Sequence, residues 1–400
     1  MSTADEALPL LHWTEGDAPC SARWRSERGA PPPKRVVLAD DTMPADVAYR
    51  LACEGTGLLW RGDFHNARQL LLALARRIDR KAVRRGPALA PATPFTPVAP
   101  GTAFHLHRQA QSQRARVLAM LLMPLDADYR IPLRRAPDHR AACTEAWGTA
   151  DLDGGPSVVA LRELLGVVSA HEWRKKGVPV PALGPAPDNR IHPHHGVFSP
   201  VRGEYIELVA KAPLPMAAHA LTAFDIGTGT GVLAAVLATR GVAKVLATEL
   251  EPRALACAQE NLSRLGLSDR VELLQADLFP PGRAPLVVCN PPWLPARPGA
   301  PIERAVYDED SRMLKGFLAG LAAHLAPGGE GWLILSNLAE HLGLRTRAEL
   351  LGWIATAGLQ VLGRIDTRPT HGKAADATDA LHVARAAEVT SLWRLGVLPT

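Results

Sequence analysis

From residue 221 onward, short apolar runs alternate with amphipathic helical stretches, and this alternation narrows the fold more than any other feature. LTAFDI (221–226) leads into GTGTG and the helical VLAAVLATR, and VLATEL (245–250) leads into PRALACAQENLSRLG. VELLQ (271–275) and LVVCN (286–290) follow, and SRMLKGFLAGLAAHL (311–325) precedes GWLILS (331–336). A helix near 347–357 precedes LQVLGRID (359–366), and LHVARA (381–386) reads as the closing strand. Strands separated by helices pair through crossovers, which predicts an α/β fold with a doubly wound, mostly parallel, seven-stranded Rossmann-like sheet. The late strands, joined by loops, are compatible with an antiparallel edge.

The preceding half reads differently. It holds a strand-like GTGLLW (55–60), a helical ARQLLLALARRI (67–78) and an apolar run RVLAMLLMPL (116–125). Proline-rich stretches at 30–34, 87–101 and 178–195 punctuate it. The last is the best boundary, because clustered prolines disfavour helix and force extended, turn-rich chain. The expected organisation is an α/β or α+β accessory, substrate-binding domain over 1–180, a linker and acceptor-side segment over 181–200, and the principal domain over 201–400.

Charge separates the halves. Lys and Arg outnumber Asp and Glu by 26 to 20 over residues 1–200, against 19 to 20 over 201–400, and residues 61–140 hold 15 basic and 5 acidic side chains. ARRIDRKAVRR sets Arg76, Arg80 and Arg84 four apart, hence on one face of a helix. Such a stripe suits a phosphate backbone; it also fits a solvated arginine-rich surface. No apolar run is long enough to span a bilayer, and MSTADEALPLLHWTEGD lacks the basic region of a secretory signal. Five scattered cysteines without a CxxC pair fit a reducing compartment, so a cytoplasmic location is expected.

FDIGTGTG places Asp225 at a strand end, then Gly227, Thr228, Gly229 and Gly231. Alternate glycines let the chain turn tightly and let a ligand approach the backbone, and the following helix offers free amides. Glu249 ends the next strand, where a carboxylate can accept both hydroxyls of a ribose, and Asp277 follows the strand after that. Gly229, Gly231 and Ala234 satisfy GxGxxA, so a nicotinamide dinucleotide remains a candidate. Three acids at successive strand ends suit an ammonium, a ribose and an adenine amine, groups that S-adenosylmethionine carries without a pyrophosphate to repel them.

VVCNPPWLP (287–295) ends the fourth strand on Asn290, Pro291, Pro292 and Trp293. The Asn290 side-chain oxygen and the Pro291 carbonyl can each accept one hydrogen of a planar NH2 group. Holding both aims the nitrogen at a methyl sulfonium and favours charge building on it. The prolines stiffen the loop, and Trp293 offers a face for a flat acceptor. Alone, the motif also reads as a strand-terminating turn whose Trp fills a gap.

Together these residues resemble the "small domain" class of S-adenosylmethionine-dependent N-methyltransferases, which includes ribosomal RNA guanine-N2 methyltransferases and the glutamine-N5 methyltransferases of release factors. The resemblance covers about residues 196–395 and implies a class I methyltransferase fold. HGVFSPVRGEY (195–205) is similar to a segment near the acceptor pocket of the guanine-N2 enzymes, which implies substrate contacts for Phe198 and Arg202 beside Trp293. GTGLLWRGDFHNARQLLLAL (55–74) is more weakly similar to their N-terminal half, a degenerate methyltransferase copy that assists RNA binding. The RNA enzymes usually carry Phe after Asn-Pro-Pro and the glutamine enzymes Tyr; Trp293 matches neither.

The expected function is therefore methyl transfer to a planar amine or amide nitrogen. RNA of the guanine-N2 type is the favoured acceptor, a protein glutamine the alternative, and a binding module without turnover a third reading. His192, His194 and His195, with His105 and His107, lack the carboxylate or cysteine spacing of a metal site, so no metal is expected. Asp308, Glu309 and Asp310 read as negative charge at a helix N-terminus.

Overall fold

The computed structural model describes residues 8–84, 100–215, 222–369 and 379–399. The stretch 87–99, the side chain of Arg84, Arg85 and most of the loop 370–380 lie outside the described residues. Two compact units divide the chain, the first made of the described residues up to 172 apart from 100 and 101, the second of the rest.

The first unit carries a six-stranded mixed sheet: β1 (Leu10–Glu15), β2 (Ala18–Arg25), β3 (Arg35–Ala39), β4 (Thr56–Trp60), β5 (Leu121–Leu125) and β6 (Ser157–Ala160), in the order β1-β2-β6-β5-β4-β3. β3, β4 and β5 run parallel, whereas β5 and β6 are antiparallel. β4 and β5 are buried at every position, as expected of apolar runs covered on both faces. Leu70, Leu74, Leu118 and Phe64 pack on them from the flanking helices, Phe64–Arg84 and Pro100–Leu118. The apolar run 116–125 is thus the end of a helix followed by a strand.

In the second unit the proline-rich stretch is built into the structure. A two-stranded ribbon, β7 (Val178–Pro179) with β8 (Arg190–Ile191), sets Val180 and Ile191 into the main hydrophobic cluster. The sheet comprises β9 (Thr222–Ile226), β10 (Lys244–Glu249), β11 (Val271–Gln275), β12 (Ala284–Cys289), β13 (Leu325–Ser336), β14 (Leu359–Thr367) and β15 (Thr390–Val397). Their order is β11-β10-β9-β12-β13-β15-β14. All neighbours are parallel except β15, which is antiparallel to both β13 and β14. Helix Val232–Thr239 is buried from Val232 to Ala238, and helix Arg312–His324 packs Leu314, Phe317, Leu318 and Leu321 on the opposite layer.

One expected strand is corrected. LHVARA is not a strand; His382–Ala386 forms a short helix with Val383 on its open side. The closing strand is Thr390–Val397, inserted between β13 and β14. Two faces bury it almost continuously, so it lacks the alternation that marks a half-buried strand.

Candidate active site

The chain order reverses between β9 and β12: β10 and β11 are laid down on one side of β9, and β12 and β13 on the other. In an open α/β sheet, ligands bind outside the carboxyl ends of the strands at such a reversal. Ile226 pairs with Cys289 in register, so the glycine loop and Asn290 leave the sheet side by side.

The loop itself needs left-handed backbone at three points, with φ of 71° at Gly227, 57° at Gly229 and 80° at Gly231. Gly227 and Thr228 both donate their amides to the Thr248 carbonyl, at 3.0 and 2.9 Å, which ties the turn to β10. A side chain on Gly229 would meet open space, whereas one on Gly227 would lie 2.5 Å from Met313 Cε. The loop is therefore open above Gly229 and covered by Met313 at its start.

Asp225 turns under this loop. Its Oδ2 accepts from Thr228 Oγ1 at 2.6 Å and from the Ala234 amide at 3.0 Å, and the residue is buried. Burial pushes its carboxyl up to about 6 against those two hydrogen bonds, with the Glu249 charge adding to the rise. Glu249 accepts the Gly229 amide on Oε2 at 3.0 Å and the Leu250 and Glu251 amides on Oε1 at 2.8 and 3.1 Å. Asp277 is exposed and its Oδ2 pairs with Arg312 at 2.7 Å.

Beyond β12, Trp293 Nε1 donates to Asn290 Oδ1 at 2.9 Å. The chain then doubles back: Leu294 accepts from the Asp308 amide at 2.8 Å and donates to Val306 at 3.2 Å, closing a bridge with Tyr307. Pro291 is buried and Pro292 half-buried within this closed turn. Asp308 Oδ1 and Oδ2 accept the Met313 and Leu314 amides at 3.0 and 3.1 Å, so the acid ahead of helix Arg312–His324 caps it directly. Burial raises the Asp308 carboxyl, opposed by those amides.

Arg202 and Trp293, both predicted for the acceptor side, contact one another; the guanidinium carbon lies 5.5 Å from the indole centroid. Arg202 also pairs with Glu388 at 3.2 Å and Glu204 at 3.5 Å. Glu388 is buried and accepts from Ser336 Oγ at 2.7 Å. Phe198 is half-buried in the turn that follows His194.

Sequence reasoning missed Glu388, Ser336 and Asn261. Ser336 had a legible signal, since it is a polar residue ending an apolar strand, like Glu249 and Asn290. Asn261, in mid-helix, is buried; its Nδ2 donates to the Thr230 carbonyl at 3.1 Å and its Oδ1 accepts the His192 amide at 2.7 Å. It thereby ties the histidine segment to the glycine loop. The histidines point to separate partners: His192 to the Arg174 carbonyl, His194 to Glu260, His195 to Arg253. Burial would raise Glu260, but hydrogen bonds from Arg264, His194 and Arg174 hold it at about 2. Among the described residues there is no cluster of three potential metal ligands, and no helix is long and apolar enough to cross a membrane.

A family model described as "Methyltransferase small domain" matches residues 188–346. A release factor glutamine methyltransferase of Cereibacter sphaeroides is 41% identical over 113 residues, 28% of this chain and 37% of that enzyme. Its counterpart in Moorella thermoacetica is 43% identical over 120 residues, 28% of this chain and 42% of that enzyme. A tRNA1(Val) (adenine(37)-N6)-methyltransferase of Shewanella loihica is 31% identical over 186 residues, 44% of this chain and 72% of that enzyme. The chain thus spans less than half of the two glutamine enzymes and nearly three quarters of the tRNA enzyme.

Proposed function

The chain belongs to the small-domain family of S-adenosylmethionine-dependent methyltransferases, and on that premise we propose that it methylates a planar NH2 nitrogen at the reversal point of its second sheet. The observation that carries this reading is the register of β9 on β12, which sets the glycine loop beside Asn290. The residues present fit the cofactor: the space above Gly229 is open, and Glu249 stands at the next strand end. We assign Glu249 to the ribose hydroxyls, Asp277 to the adenine amine, and the Gly227–Gly231 backbone, Thr228 included, to close approach of the methionine part. Asp225 supports that loop from beneath, its buried charge favouring a nearby ammonium. When bound, the cofactor supplies an electrophilic methyl group on a sulfonium.

Asn290 Oδ1 and the Pro291 carbonyl accept the two N–H bonds of the acceptor and orient its lone pair. Both acceptors would stabilise the positive charge that builds on the nitrogen as it takes up the methyl group. The proton then leaves to water, so no strong general base is required beforehand. Pro292 holds the cradle stiff, and Phe198, Arg202 and Trp293 form the acceptor side.

An exocyclic amine of RNA is the first acceptor reading, because similarity to the tRNA adenine enzyme runs over most of that enzyme's length. A protein glutamine amide is the second, carried by the higher identity to the release factor enzymes. Incubation with methyl-labelled S-adenosylmethionine and separated RNA and protein fractions decides between them. Label in RNA is expected; label confined to protein transfers the assignment to glutamine, and two cold fractions overturn the function.

A further inference from the structure

We infer that Trp293 is a positioning residue for Asn290: its indole N–H fixes which end of the Asn290 carboxamide faces the acceptor. The inference rests on the N-methyltransferase reading above and deepens it. A free Asn side chain has two nearly isosteric ends, an oxygen that accepts and an NH2 that donates. Turned the wrong way, Asn290 would present donors to a donor NH2 group and repel it. An indole N–H is a donor only, so at 2.9 Å it can face only the oxygen end. The carbonyl oxygen has two lone pairs; Trp293 takes one and leaves the other for the acceptor nitrogen.

Trp293 is itself held. Arg202 lies 5.5 Å from its ring centroid, Glu388 anchors Arg202 at 3.2 Å, and Ser336 Oγ anchors Glu388 at 2.7 Å. A chain of polar contacts therefore runs from the end of β13 to the cradle at the end of β12. A Phe at position 293 would keep the aromatic face but has no donor to orient the amide.

The full-length chain, labelled with 15N-tryptophan, contains nine indole N–H groups. The Trp293 indole is expected to be protected from hydrogen exchange in the native protein, as are other bonded indoles such as those of Trp60 and Trp332, and it alone should lose that protection in Asn290→Ala. In parallel, turnover is measured with methyl-labelled S-adenosylmethionine on total RNA, or on total soluble protein should the RNA stay cold. Trp293→Phe should lower kcat about tenfold, with KM for the cofactor and the melting temperature little changed. In an Asn290→Ala background, Trp293→Phe should cost almost nothing further, because the group it orients is already gone. A full kcat in Trp293→Phe, the same tenfold loss in both backgrounds, or unaltered indole protection in Asn290→Ala overturns the inference. Should Trp293→Phe not fold, Glu388→Gln replaces it: a kcat loss confined to the native background supports the inference, and an equal loss in both overturns it. A native enzyme that labels neither fraction overturns the parent function and the catalytic part of the inference, while the indole measurement still decides the Trp293–Asn290 bond.

Discussion

Asp225 carries a charge that folding disfavours. An aspartate in the unfolded chain titrates near 3.8, and burial under the glycine loop pushes it up to about 6. Below 3.8 both states are protonated and nothing is lost. Between 3.8 and 6 the folded state holds the proton longer, so stability falls as pH rises, and above 6 the penalty is constant. Linkage sets its scale at up to about 3 kcal/mol. Asp225→Asn keeps an oxygen for Thr228 and Ala234 and never ionises. Its stability relative to the native chain, measured by denaturant titration, should therefore rise between pH 4 and pH 6.5 and then level off; a flat difference would reject the buried charge. Cofactor binding should weaken in the same variant chiefly above pH 6, where the native carboxylate is ionised. Asn290→Ala belongs to the same scale. It removes the oxygen proposed to accept from the reacting nitrogen, so turnover should drop about 100-fold while the calorimetric affinity for S-adenosylmethionine stays put. Glu249→Ala should do the reverse, since its proposed role is to hold the ribose and not the reacting atoms. Equal losses of turnover and affinity in either variant would contradict its assigned role.

At the scale of elements, the cap on one helix and the turn after one strand depend on each other. Asp308 fixes the first turn of helix Arg312–His324, and that turn places Met313 against Gly227. Gly227→Ala meets two obstacles: a backbone at φ 71° and a methyl 2.5 Å away. The backbone share is about 1–3 kcal/mol. Adding Met313→Ala should return the steric share and leave the backbone share, read as partial recovery of the melting temperature and of cofactor affinity; complete recovery would show that left-handed backbone is not required there. This turn is legible in the sequence because glycines at alternate positions after a buried strand mark a tight turn through left-handed backbone. The strands 245–250, 271–275 and 286–290 are equally legible, since short apolar runs between turn signals read the same way in sequence and structure. LHVARA misleads because Leu381 and Val383 flank a polar residue as in a half-buried strand, while its helix has little chain to declare a 3.6-residue period. The Glu388–Arg202 pair joins residues 186 positions apart and leaves no local pattern at all.

For the molecule as a whole, the basic character of residues 61–140 is smaller in space than in sequence. Arg77 pairs with Asp46 at 2.7 Å, Arg114 with Asp79 at 2.9 Å, and Arg140 with Asp138 at 2.7 Å. Arg134 and Arg135 share the buried carboxylate of Asp63. Such pairs add little stability at an exposed surface, but they do cancel field, so the excess of basic side chains overstates the potential a polyanion would meet. Among the described residues, the stripe consists of Arg76 and Arg80, both exposed on helix Phe64–Arg84 and donating to the carbonyls of Leu72 and Arg76. Should RNA be the acceptor, a double Arg76→Gln, Arg80→Gln variant tests whether this face meets phosphates. Each lost phosphate contact lowers the slope of log affinity against log salt by about 0.7–0.9, so the pair should flatten it by roughly 1.4–1.8. Cofactor affinity, measured by calorimetry on the same preparation, should not move, because neither residue lies in the unit that carries the glycine loop. An unaltered slope would return both arginines to ordinary surface and leave the acceptor to be recognised elsewhere, with the residues proposed for that side, Phe198, Arg202 and Asn290, the next to test.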